Sequence, residues 1–334
     1  DSGYVQIYRW TGSAWSKLGA DIDGEDWYDY SGYSVSMSAD GQTVAIGAPG
    51  TDGNGEDSGH VRIYRWTGSA WSQRGADIDG EADSDYSGLS VSMSSDGQTV
   101  AIGAPYNDGN GSDSGHVRIY DWTGSAWSQR GADIDGEAAG DWGWGGSVSM
   151  SADGQTVAIG APYNDGNGSA SGHVRIYHWT GSEWFQRGAD IDGEAAGHLS
   201  GYSVSMSADG QTVAIGAPYN DGNGSSSGHV RMYHWTGSEW LQRGSDIDGE
   251  AAGDGEAAGD LSCYSVSMSA DGQTVAIGAP YNDGNGFDSG HVRMYQLLPT
   301  IDSFSTVTDT ISITVTPVAD APVLSRVASP QLNS

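Results

Sequence analysis

The sequence predicts an all-β chain: a β-propeller of four-stranded antiparallel blades, followed by an extended β tail. Three observations predict it. A unit of 56 or 57 residues recurs along most of the 334 residues. Each unit reads as four short alternating runs separated by turn signals. No stretch carries the 3.6-residue apolar period of an amphipathic helix. Repeated four-stranded units are the pattern of propeller blades. We count five blades, or six or seven if the chain is a fragment. The propeller spans residues 1–296, and residues 297–334 form a tail or linker strand.

The repeat is read from two separated markers. A Val-x-Ile/Met-Tyr run has its valine at Val5, Val61, Val117, Val174, Val230 and Val292, spaced by 56, 56, 57, 56 and 62 residues. A Gly-Ala-Pro run has its proline at Pro49, Pro105, Pro162, Pro218 and Pro280. The long last step comes from a doubled Gly-Glu-Ala-Ala-Gly-Asp, ending at Asp254 and again at Asp260. A loop that doubles without disturbing strand register is an exposed loop.

In the second unit the first strand is Ser90 to Ser94, with serines alternating against Val91 and Met93. Ser95-Asp96-Gly97-Gln98 is a tight-hairpin signal. The second strand, Thr99 to Ala104, is closed by Pro105. A loop, Asn107 to Gly115, leads to the third strand, His116 to Trp122. Thr123-Gly124-Ser125 turns into the fourth strand, Ala126 to Arg130. An acidic connection, Asp133 to Asp141, leads onward. The small serines, Ala101 and Gly103 suit the crowded axis, and Val100, Ile102, Val117, Ile119 and Trp122 suit the space between blades.

Counting strands tests closure. First, second and fourth strands number five each, the fourth starting at Ala14, Ala70, Ala126, Glu183 and Glu239. Third strands number six. The expected closure has Tyr4 to Trp10 and Ala14 to Leu18 completing the blade begun at Ser265. One third strand is then surplus, either Val5 to Trp10 or Val292 to Tyr295. An unpaired edge invites strand addition from a second molecule.

Composition bounds the function. With 13 basic against 44 acidic residues, the formal charge is −31. That disfavours nucleic acid, which needs clustered Lys and Arg, and anionic lipid. The single Cys excludes a disulfide scaffold. No apolar run is long enough to insert in a membrane. Thirteen Trp and seventeen Tyr supply a core. The chain starts at Asp1 without Met, which reads as a processed chain or fragment.

Ser31-Gly32-Tyr33-Ser34-Val35 followed by Gly47-Ala48-Pro49 resembles the FG-GAP repeat of integrin-type β-propellers, in five copies. The Phe of that motif is Ser31, Ser87, Ser200 or Ser262 here and Trp144 in the third copy. Cys263 replaces its glycine in the last copy. The resemblance implies an extracellular adhesion module and, in many members, a calcium loop between the first two strands. Here that loop is only Ala39-Asp40-Gly41-Gln42, and one carboxylate cannot fill a calcium shell of six to eight oxygens. In the tail, Thr310 to Pro317 alternates like a strand. With Ala319-Asp320-Ala321-Pro322 it resembles the linker of large bacterial cadherin-like adhesins.

The strongest candidate for chemistry is Asp-Ile-Asp-Gly-Glu, at Asp21/Asp23/Glu25, Asp77/Asp79/Glu81, Asp133/Asp135/Glu137, Asp190/Asp192/Glu194 and Asp246/Asp248/Glu250. Alternate carboxylates with a turning glycine begin an EF-hand-like loop, so calcium is the implied ion. Asp26, Asp141 and Asp260 would add ligands. The competing reading is a solvated loop whose aspartates cap turns. Asn-Asp-Gly-Asn-Gly, as at Asn107 to Gly111, reads as a long hairpin needing positive φ. Asn110, Asn167 and Asn223 fit the glycosylation sequon. His60, His116, His173, His229 and His291 would form a ring, read here as structural caps of the third strand. The pairs Trp66/Trp71, Trp122/Trp127, Trp179/Trp184 and Trp235/Trp240 read as cross-strand packing. Cys263 reads as drift.

An active site needs one asymmetric constellation, and every chemically conspicuous group here recurs. The expected function is therefore an extracellular or cell-surface binding or adhesion module without catalysis, a multivalent platform for a protein or glycan ligand. The alternative is a structural subunit that assembles into filaments through its surplus strand and tail. A carbohydrate-active enzyme is the third class.

Overall fold

The computed structural model describes residues 2–140, 143–250 and 259–297. The expected tail strand, Asp141 and Asp254 lie outside these residues. Every regular element among the described residues is a strand, and no helix is long and apolar enough to cross a membrane.

Four units form complete blades. In the second unit the sheet order is Ser90–Met93, Thr99–Ala104, His116–Trp122 and Trp127–Gln129, all antiparallel. A fifth strand, Ile134–Asp135, pairs with the start of the third, Val117 opposite Ile134 and His116 opposite Asp135. The sequence pattern reads this stretch as loop, because two residues are too short to show alternation. Its cause is geometric. The three-residue fourth strand covers only the end of the seven-residue third strand, and the acidic motif returns to satisfy the rest. Ile134 is buried by that return.

Blades join through a repeated apolar seam. Val61, Ile63 and Ile78 of one blade pack with Met93, Val100 and Ile102 of the next. The first-strand serines tie the same seam. Ser36 Oγ accepts from Met93 N at 3.0 Å and Ser92 Oγ from Met150 N at 2.9 Å. Ser90 Oγ donates to Gly145 O at 2.6 Å. The alternation of small serines thus serves hydrogen bonding between blades as well as close approach. A second tie is aromatic. Trp127 Nε1 donates to Arg74 O at 2.7 Å, and the Arg74 guanidinium lies 4.6 Å from the Trp122 ring. The Trp122–Trp127 pair itself packs at 5.4 Å, as cross-strand packing requires.

The ends differ from the expected closure. Tyr4–Val5 pairs with Ile22–Asp23, and Tyr8–Trp10 with Trp15–Lys17. These N-terminal strands pack Ile7 and Ile22 against Val44 and Ile46 of the first complete blade. They do not complete the sheet begun at Ser265. There His291–Gln296 pairs along all six residues of Thr274–Ala279 and occupies the edge the N-terminal strands would need. Two faces are left open. Val292 and Met294 are 69% and 72% exposed, and Val35 and Met37 are 55% and 42% exposed.

Candidate metal centre

Among the described residues the acidic motifs meet the third-strand histidines at four places. Four groups result: Glu25/His60/Asp77, Glu81/His116/Asp133, Glu137/His173/Asp190 and Glu194/His229/Asp246. In each, one imidazole nitrogen and two carboxylate oxygens lie within 4.8 Å of one another. The Glu closes one motif, the His opens the next blade's third strand, and the Asp opens the next motif. The strand pairing His116 to Asp135 holds that geometry.

Outer partners aim the ligand atoms. Gln73 Nε2 donates to Asp77 Oδ1, which leaves Oδ2 facing His60 Nδ1 at 3.9 Å. Gln242 Nε2 does the same to Asp246 at 2.6 Å, and Asp246 Oδ2 lies 3.8 Å from His229 Nδ1. Glu81 and Glu137 divide their oxygens between the Arg and the His. Glu81 Oε1 takes Arg118 Nη1 at 3.4 Å, and Oε2 faces His116 Nδ1 at 3.8 Å. Arg118 Nη2 is anchored on Asp79 O at 2.7 Å, and Arg62 and Arg231 repeat this on Asp23 O and Asp192 O.

The imidazoles are buried, with side-chain exposure of 1–3% in all four groups. Nε2 of His60 and of His173 has no hydrogen-bond partner. Burial pushes all four histidines below their ordinary pKa, with a neighbouring Arg adding to the effect, and His116 falls to about 4. They are neutral at pH 7. Burial and then the charge of Asp133 raise the Asp135 carboxyl, and Asp248 is raised by burial and Asp246.

The third group departs from the other three. Trp144, where other copies have Ser, is fully buried and donates Nε1 to Ile134 O at 3.0 Å. Its ring stands edge-on to His173 at 5.6 Å, with the Arg175 guanidinium 5.7 Å away. Arg175 turns to Asp190 instead of a carbonyl, donating Nε and Nη2 to its two oxygens at 2.8 Å each. It also contacts Glu137. The guanidinium fills this group.

Each motif is therefore split between junctions. The first Asp of the second, third, fourth and fifth copies joins one group, and the Glu of the first four joins another. Asp21 pairs with Lys17 instead. The middle residues, Asp23, Asp79, Asp135, Asp192 and Asp248, belong to none of the four groups. Glu250 contacts Arg293 and accepts from Asn282 Nδ2 at 2.9 Å. Asp26 accepts from Trp27 N at 2.7 Å, and Asp260 from Asn282 Nδ2 at 2.9 Å. The histidines, read from sequence as caps, and the arginines two residues on are the partners sequence reasoning missed. Their signal was the recurrent His-Val-Arg.

The other candidates make hydrogen bonds within their own loops and to the neighbouring acidic motif. Asp40 accepts from Ser38 Oγ and Gln42 N, which holds its carboxyl below the usual range and commits it to the turn. In the Asn107 loop, Asn107 Oδ1 accepts from Gly109 N and Asp108 Oδ1 from Asp113 N. Positive φ falls on Gly111 and Asp113. The sequon amides of Asn110, Asn167 and Asn223 donate to Gly136, Gly193 and Gly249 carbonyls at 2.8–2.9 Å.

The chain is similar in fold to three solved structures. The hydrazine synthase of Kuenenia stuttgartiensis shares 15% identity at a TM-score of 0.50, over 79% of this chain and 62% of that one. This chain thus spans less than two thirds of that protein. A Bacteroides uniformis protein described as a 6-phosphogluconolactonase shares 12% identity at a TM-score of 0.54, over 87% of this chain and 77% of that one. The periplasmic gluconolactonase of Pseudomonas aeruginosa shares 17% identity at a TM-score of 0.50, over 81% and 70%. At these identities the likeness shows the fold alone. No curated protein sequence matches the chain. The FG-GAP repeat family matches at residues 16–64, 77–120 and 191–233. The chain thus matches the FG-GAP repeat at three places, and its repeated four-stranded antiparallel sheets are those of β-propeller blades.

Proposed function

We propose that the chain is a non-catalytic binding module of an extracellular or cell-surface protein, presenting equivalent surfaces from successive blades to a protein or glycan ligand. One observation carries this reading: the side chains displayed at the loops recur from blade to blade. Tyr106, Tyr163, Tyr219 and Tyr281 all follow the Pro of their blade and are 38–45% exposed. Half-exposed aromatic rings suit stacking on sugars or apolar side chains. Repetition supplies avidity rather than a single reacting centre. The test is a glycan array probed with the intact chain and with Tyr→Ala variants at these positions, singly and together. Equal small losses from single variants and a large combined loss support the reading. Loss of all binding or of a hydrolytic activity through one blade alone overturns it. A divalent cation, in this reading, is held by acids of neighbouring motifs rather than by one loop, and the donors of those groups decide which ion it is. Unfolding with millimolar calcium and with chelator, at constant ionic strength, tests that through the midpoint.

The open end faces favour a second reading, self-association. Val292 and Met294 offer on one end what Val61 and Ile63 bury inside the chain. Val35 and Met37 with Val5, Ile7 and Tyr8 line an apolar cleft at the other. A second copy placed head to tail would repeat the internal seam. Light scattering that shows a monomer at every concentration removes this reading.

A further inference from the structure

We infer that three blade-junction groups, Glu25/His60/Asp77, Glu81/His116/Asp133 and Glu194/His229/Asp246, bind a divalent transition-metal ion of the zinc type, and that Arg175 closes the fourth. This goes beyond the binding module proposed above and stands whatever that module's ligand is.

The donor set chooses the ion class. Each group offers one imidazole nitrogen and two carboxylate oxygens. Imidazole with carboxylate suits zinc and its neighbours, whereas calcium takes six to eight oxygens. The His60 imidazole is the independent pointer. Its side chain is 3% exposed, and Nδ1, the nitrogen that faces the carboxylates, stops 3.9 Å from Asp77 Oδ2. That distance is too long for a hydrogen bond. A shared ion with bonds of about 2.0–2.2 Å would bring such ligand atoms to about 3.4 Å apart, a closure of roughly half an ångström for His60 and Asp77 and of up to about 1.4 Å for the most separated atoms of a group. A buried polar ring facing two carboxylates without a hydrogen bond is otherwise costly.

The surroundings are those of a supported ligand set. The Gln donors fix Asp77 and Asp246 by their other oxygens, and Arg118 fixes Glu81 by Oε1. Orienting ligands from outside is what outer-shell partners do in metal sites. In the His229 group Asn220 Nδ2 donates at 3.2 Å to Glu194 Oε2, the oxygen that faces the imidazole. Two carboxylates against one guanidinium leave each open group with net charge −1, which attracts a divalent cation.

The third junction is a built-in control. There Arg175 takes both oxygens of Asp190, and Trp144 donates to the Ile134 carbonyl. A guanidinium in that position excludes a metal ion by charge and by volume. His291, in the last described strand, belongs to none of the groups among the described residues.

The experiment uses the full chain stripped with chelator, titrated with Zn²⁺ and with Co²⁺ alone. Bound metal is counted by dialysis and elemental analysis, and cobalt by its visible absorption. Three equivalents per chain are expected, displaced by Zn²⁺ and unaffected by millimolar Ca²⁺. His60→Gln, His116→Gln and His229→Gln should each remove one equivalent, and His173→Gln and His291→Gln none. Glu25→Gln, at a half-exposed side chain, should also remove one and keeps the test alive if a His variant fails to fold. The proposal is overturned by binding below one equivalent, by displacement with calcium, or by a stoichiometry that ignores the His and Glu changes. Loss of one equivalent in His173→Gln overturns the closed fourth junction.

Discussion

Val61 and Val292 hold the same register position, opposite Gly47 and Gly278, yet Val61 is fully buried and Val292 is 69% exposed. The difference is the neighbouring blade, which covers one and not the other. Val61→Asp should therefore abolish cooperative folding or cost more than about 4 kcal/mol, since it buries an unpaired charge. Val292→Asp should stay within about 0.5 kcal/mol, as surface changes do. Urea unfolding of both variants checks this. Equal damage at Val292 would show that its face is covered in solution.

Gly103 and Gly278 make the same comparison for the backbone. A Cβ at Gly103 would run into Gly145 O of the next blade, while at Gly278 its close neighbour is Ser265 Oγ at 2.5 Å. Backbone cannot yield, whereas a serine side chain can rotate. Gly103→Ala should cost about 3 kcal/mol or more, and Gly278→Ala about 1 kcal/mol. A measured loss near zero at Gly103 would contradict the close contact between blades.

The blade was legible because its signals repeat and agree: alternating Val91 and Met93, the Asp96-Gly97 hairpin, the Trp122/Trp127 pair. The Ile134–Asp135 strand was not, since two residues carry no period and their pairing is set by the third strand. Closure was misread for a related reason. His291–Gln296 and Tyr4–Trp10 are equivalent in sequence, and only packing decides which edge each takes. The Asp-Ile-Asp-Gly-Glu acids were found, but their grouping was not. Partners such as Glu25, His60 and Asp77 stand 35 and 17 residues apart, so the group exists only after blades stack. The turn of Arg175 to Asp190 is equally a property of contact, invisible in either residue alone.

Buried neutral histidines set a pH dependence. In the unfolded chain a histidine takes its proton near 6.5, while folded His116 does so only near about 4. Between those values the unfolded state binds more protons, so stability falls as pH falls. The slope is about 1.4 kcal/mol per pH unit for each such group. Arg118 opposes the protonated ring, and Asp133 and Asp85 favour it, but burial dominates. Urea midpoints at pH 7, 6 and 5 should drop in order, and His116→Gln should flatten the fall. A midpoint that rises on acidification would reject the neutral assignment.

Cys263 stands where Gly32, Gly88, Gly145 and Gly201 stand in the other copies, at a φ of +72° and fully buried. A side chain in that left-handed region costs about 1–2 kcal/mol. Its sulfur packs among Val230, Met232, Val275 and Ile277, which returns roughly 1 kcal/mol. Cys263→Gly should therefore leave stability unchanged or raise it by up to about 1 kcal/mol. Cys263→Val, branched at Cβ and held at positive φ, should lose more than about 2 kcal/mol. Burial also pushes the thiol well above its ordinary pKa, so thiolate is scarce at neutral pH. A disulfide-exchange reagent should label Cys263 only at the rate of unfolding. Rapid labelling of the native chain would show that the junction between the last two blades opens on its own.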